Sequence, residues 1–69
     1  MLNDLSRSQI EYLIDEWVLS QRNRNILKSR FVDGLTYEKM SEKFDLSVSQ
    51  IKNIVYYGKV YLEEKAESI

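Results

Sequence analysis

Between Ser47 and Leu62 the residues Ile51, Ile54, Val55, Gly58 and Leu62 fall at offsets of 3, 4, 7 and 11 from the first, the spacing of a single buried stripe on an α-helix. This pattern constrains the chain most, because it fixes both what a helix hides and what it leaves out. At ~100° per residue the opposite side carries Ser49, Lys52, Asn53 and Tyr56, flanked by Val48, Tyr57 and Lys59. A short polar set with an aromatic and two amines suits the edges of base pairs. The run IVYYGKVY also holds good strand formers, so a strand over 54–61 is the competing reading. The helical spacing outweighs that propensity.

The starts of four helices are marked by their caps. Ser6 with Gln9 fits a capping box inside the staple pair Leu5 and Ile10, and Ser47 with Gln50 repeats it inside Leu46 and Ile51. Thr36 caps a third start, with Leu35 and Met40 in the staple positions, and Ser20 caps a fourth. Gly34 supplies a left-handed terminator, and Asp45 stands where the chain turns sharply between two helices. The spacing predicts helices over about 7–19, 21–33, 37–44 and 48–65. In the first, Ile10, Leu13, Ile14, Trp17 and Val18 form the inward stripe, and Trp17 is expected in the core. The second turns Ile26, Leu27 and Phe31 inward; in the third Met40 and Phe44 do so, and Ser41 lets the next helix approach. The fold class expected is all-α, a single helix-turn-helix domain over 1–69 with 36–62 as the helix-turn-helix and 1–19 as a supporting helix.

With 69 residues and 43% hydrophobic content there is room for one small core. The chain has no cysteine and no histidine, which removes disulfides, thiolate sites and the usual general base and zinc ligands. No enzyme, metal or other cofactor is expected. No apolar run approaches the ~20 residues of a membrane span, and the N-terminus lacks the pattern of a signal peptide. A cytoplasmic protein without a membrane partner is expected.

The formal net charge of -1 hides a strong asymmetry. Residues 1–19 carry -3 and residues 60–69 carry -2, whereas residues 20–59 carry +4. An anionic ligand should therefore meet the middle of the chain. Arg22, Lys28 and Arg30 lie there on the outer face of the second helix, as phosphate contacts or simply as solvated charge.

From Ser20 to Leu62 the chain resembles region 4 of bacterial sigma factors of the housekeeping type. The resemblance rests on Arg22, on ILKSRF at 26–31, on GLTYE at 34–38, and on FDLS at 44–47 followed by Ile51, Lys52, Asn53 and Ile54. It implies a helix-turn-helix that reads the upstream promoter element, with base contacts at Val48, Ser49, Lys52 and Asn53. These positions coincide with the free face derived from the spacing, to which Tyr56 also belongs. Phosphate contacts carried over from the family fall on Arg22, Arg30, Thr36, Tyr37 and Tyr57, and Lys59 joins them as an amine beside that face. Val48 and Ser49 stand where the family often has arginine and glutamate, and Tyr57 where a lysine is common. The region of a sigma factor that melts the promoter has no counterpart in the sequence, so a complete sigma factor is not expected. A Met1 start and a compact ending fit an intact small protein of bacterial or phage origin, and a fragment remains the alternative.

Two functions follow as expectations. The first is a small transcription regulator that binds double-stranded DNA through the last helix. A homodimer or a second DNA-bound protein would supply the contacts that one small domain lacks. The second is a module that engages RNA polymerase without reading DNA. The resemblance implies a hydrophobic docking groove for the polymerase flap, and Val60, Tyr61 and Tyr57 lie outside the main stripe.

Overall fold

A computed structural model describes residues 4–67. It contains four helices, α1 (Arg7–Trp17), α2 (Gln21–Phe31), α3 (Tyr37–Phe44) and α4 (Val48–Glu67). No strand occurs among the described residues, and IVYYGKVY lies within α4.

Each helix begins where its cap predicts. Ser6 Oγ accepts from the Gln9 N–H while Gln9 Oε1 accepts from the Ser6 N–H, a complete capping box. Ser47 and Gln50 do the same at α4, with distances of 2.9 and 3.1 Å. Ser20 and Thr36 each accept from the backbone N–H three residues on.

The ends differ from expectation for α1, α2 and α4. The first stops at Trp17 rather than Leu19, because Val18 turns extended and leads into the Ser20 cap. Arg24 reaches back from α2, donating from Nη2 to the Asp15 carbonyl at 3.1 Å and from Nε to the Val18 carbonyl. It thus takes up carbonyls that the helix end leaves without N–H partners. The second stops at Phe31 rather than Asp33: the N–H groups of Val32 and Asp33 both turn back to the Lys28 carbonyl. Gly34 then takes φ +72, and the Leu35 N–H closes on the Ser29 carbonyl at 3.0 Å. Asp45 adopts φ 55, ψ 46, and the Leu46 N–H returns to the Ser41 carbonyl, so a non-glycine residue makes the left-handed turn between α3 and α4. The last helix runs to Glu67, two residues past the expected Lys65, with no proline to stop it.

The core has two parts. Ile10, Leu13, Ile14, Leu27 and Leu62 join α1 to α2 and the far half of α4, while Ile26, Met40, Ile51 and Val55 join α2 to α3 and the near half. Phe31 packs against both clusters. Burying each such side chain contributes roughly 1.5–3 kcal/mol. The division has a positional consequence: α1 anchors α4 at its distal end and leaves the opposite side of its first turns uncovered. Trp17, expected in the core, is instead 38% exposed. It is the last residue of α1, and there Val18 rather than Trp17 packs against the cluster that buries Ile10, Leu13 and Ile14; the Lys65 ammonium lies 4.7 Å from the Trp17 ring centroid.

Candidate nucleic-acid interface

The helix-turn-helix geometry follows from the short α3, the tight turn at Asp45 and the boxed start of α4. Ser41 contributes a hydrogen bond from its hydroxyl to the Leu46 carbonyl, which ties the end of α3 to the approach of α4. Below the turn Met40, Ile51 and Val55 are buried against Ile26. With those residues inward, Ser49, Lys52, Asn53 and Tyr56 come out exposed, and Val48 half-buried at the edge. Tyr56 is 62% and Tyr57 69% exposed, and their rings meet edge to face with centroids 5.4 Å apart. Lys59 is exposed one turn beyond Tyr56.

Lys52 and Asn53 lie at opposite margins of this strip. On the Lys52 side is the start of α3: Thr36 is exposed at the cap, and Tyr37 is half-buried with the Arg30 guanidinium carbon 4.4 Å from its ring centroid. Lys52 Nζ approaches the same ring at 5.7 Å. Arg30 is half-buried and donates from Nη1 to the Leu35 carbonyl at 2.9 Å, so part of this guanidinium holds the turn before α3. On the Asn53 side is the start of α2. Arg22 is exposed and shares a shallow hollow with Leu46, Gln50, Asn53 and Ile54. Its Nε and Nη2 both lie 3.4 Å from Asn23 Oδ1. The strip is therefore bordered on both sides by arginine.

Lys28, weighed as a phosphate contact, instead pairs with Asp15 of α1 at 2.8 Å. That pair sits on the α1 side of α2.

Next to the strip an open groove of ≈ 520 Å³ runs between the α1–α2 turn and α4. Trp17, Leu19, Leu27, Ile54, Tyr57 and Tyr61 supply its apolar lining. Leu19 is 88% exposed beside it, and Val60 is exposed but does not line it. The spacing of residues did not reveal this groove, because its walls come from the end of α1, the turn after it, α2 and the middle of α4. The Arg24 clamp and the convergence on Tyr37 were missed for the same reason. No local pattern links positions whose proximity depends on how helices cross.

Four helices arranged in this way, with the second of a tightly turned pair presenting an open polar face, define a helix-turn-helix domain. Residues 18–58, more than half of the chain, match the family model described as Sigma-70, region 4. The chain belongs to that family, whose members are DNA-binding helix-turn-helix domains rather than enzymes. Comparison with curated proteins and with solved structures gives no match. No helix among the described residues is long and apolar enough to cross a membrane.

Proposed function

We propose that this chain is a small transcription regulator that reads double-stranded DNA by laying the first turns of α4 in the major groove. The observation that carries the reading is the uncovered strip of Ser49, Lys52, Asn53 and Tyr56 with arginines at both margins. A major groove about 12 Å wide admits one helix, and the phosphates lie along its two rims. In this reading Lys52 donates to guanine O6 and N7, and Asn53 pairs with adenine N6 and N7. Val48, Ser49 and Tyr56 complete the base-facing surface. Arg22, Arg30, Thr36, Tyr37, Tyr57 and Lys59 hold the phosphates, as guanidinium, amine and hydroxyl donors do in such complexes. The chain acts as one domain over 1–69, with 36–62 doing the reading and 1–19 bracing it.

The test is selection of duplexes from a random pool, repeated with Lys52→Ala and Asn53→Ala. Each variant is expected to relax preference at one or two base pairs, at a cost of about 1–3 kcal/mol in discrimination. Wild-type protein that shows no salt-dependent duplex binding at low ionic strength defeats the reading.

A second reading has its own support in the open apolar groove. Sigma region 4 domains bind RNA polymerase as well as DNA, and a helix or loop of that enzyme would cover Trp17, Leu19, Tyr57 and Tyr61. Loss of polymerase co-purification in Tyr57→Ala and Tyr61→Ala, with duplex binding intact in Tyr61→Ala, supports this role. A homodimer built on the acidic face of α1 or the tyrosine-rich part of α4 would equally enlarge the DNA footprint, and sedimentation on DNA distinguishes it.

A further inference from the structure

Tyr37 is the first residue of α3, and two cations from two other helices converge on its ring. The Arg30 guanidinium carbon, near the end of α2, is 4.4 Å from the centroid, and Lys52 Nζ, from α4, is 5.7 Å from it. Both distances fall within the ~6 Å range in which a cation is attracted to an aromatic face. Arg30 is fixed independently by its hydrogen bond to the Leu35 carbonyl at 2.9 Å. The ring therefore leans on a guanidinium that is itself tied to the turn. Lys52, by contrast, is exposed on a flexible four-carbon stem, and among the described residues no hydrogen bond or ion pair fixes its ammonium. The aromatic ring is the contact that narrows where its charge resides.

We propose that Tyr37 is a positioning residue for Lys52, its ring holding the ammonium at the α3 margin of the reading face so that base discrimination at the Lys52 step depends on the ring rather than on the phenolic hydroxyl. This rests on the reading of α4 as the groove-entering helix. It assigns Tyr37 a task beyond the phosphate contact implied by family membership: a hydroxyl that donates to a phosphate anchors the protein equally on every sequence, whereas a ring that aims an amine acts on one base pair.

The experiment measures affinity for the best selected duplex and for the same duplex with the Lys52-dependent base pair replaced. It compares wild type, Tyr37→Phe, Tyr37→Leu, Lys52→Ala and the double variant Tyr37→Leu/Lys52→Ala. The ratio of the two affinities is expected to persist in Tyr37→Phe and to fall about two- to fivefold in Tyr37→Leu, the scale of an exposed cation–π contact. In the Lys52→Ala background, Tyr37→Leu should lower the ratio no further. The proposal is overturned if Tyr37→Phe loses as much discrimination as Tyr37→Leu. It is also overturned if Tyr37→Leu weakens both duplexes equally or acts independently of Lys52. In the free protein, the Lys52 Hε protons should show an upfield ring-current shift in wild type and Tyr37→Phe that disappears in Tyr37→Leu. That signal separates the two ideas. A protein that binds no duplex but shows the shift loses the groove reading while Tyr37 still holds the amine, and absence of the shift in wild type overturns the positioning itself. Should Tyr37→Leu fail to fold, the shift in wild type and Tyr37→Phe still decides.

Discussion

Replacing Gly58 by alanine sets two known effects against each other where α4 packs on Leu27 of α2. A Cβ built on Gly58 lies 2.6 Å from Leu27 Cδ2, 2.9 Å from Cδ1 and 3.2 Å from Cγ. Ordinary carbon contacts are about 3.5–4.0 Å, so one element must yield by about 1 Å. Leu27 is 1% exposed and packed with Ile10, Leu13, Ile14 and Leu62, which leaves its methyl groups little room to swing. Alanine is favoured over glycine in a helix interior by about 0.8–1 kcal/mol. Overpacking a buried site costs about 1–3 kcal/mol. The clash should win, and Gly58→Ala is expected to destabilise the fold by about 1 kcal/mol, lowering the melting temperature by about 4–8 °C for a chain of this size. Urea denaturation followed by far-ultraviolet circular dichroism measures it. Leu27→Ala alone should cost about 2–5 kcal/mol, and in the Gly58→Ala background less, because the new methyl occupies part of the vacated space. A higher urea midpoint for Gly58→Ala, as helix propensity alone demands, refutes the reasoning. Strict additivity of the two substitutions refutes the claim that they share one contact.

Three further outcomes are expected. Asp45→Gly should raise stability by up to about 1 kcal/mol, because glycine adopts the φ 55 conformation without the cost borne by a side chain; an unchanged or lower urea midpoint counts against that account. Ser47→Ala removes the acceptor that takes the Gln50 N–H at 3.1 Å and should cost about 1 kcal/mol, while Ser47→Gly should cost only a few tenths; denaturation curves for the pair test the capping explanation. Arg22→Ala should weaken duplex binding uniformly across sequences and reduce the slope of log affinity against log salt by about 1, read from fluorescence titrations at several salt concentrations.

The helical architecture was largely legible because its signals are local. Ser6, Ser20, Thr36 and Ser47 can each cap only the turn that follows, and all four do. The stripe of Ile51, Val55 and Leu62 is buried as its period requires. The same logic places Ser49, Lys52, Asn53 and Tyr56 outside. Periodicity failed at Trp17: a stripe says which side of a helix faces inward but not which of two neighbouring residues takes the inward place where the helix ends and the backbone turns extended. One cluster buries Ile10, Leu13 and Ile14 and takes in Val18, leaving Trp17 exposed beside Lys65. The helix ends lay outside what periodicity reports, since local backbone geometry sets them: Val18 turns extended ahead of the Ser20 cap to end α1, and the Asp33 N–H returns to the Lys28 carbonyl where α2 ends.

By itself, then, the order of residues determined where the helices start, which faces they bury, and that the start of α4 presents an amine, an amide and a phenol to solvent. Those outcomes depend on groups within a turn or two of one another, whose separation the backbone geometry fixes. Tertiary packing alone decided that Arg22 and Arg30 border that face, that Lys52 leans on Tyr37, and that Trp17, Leu19, Tyr57 and Tyr61 open into a groove. Each of these depends on the crossing of helices distant in the chain, which is set by how side chains such as Leu27 against Gly58 fit together.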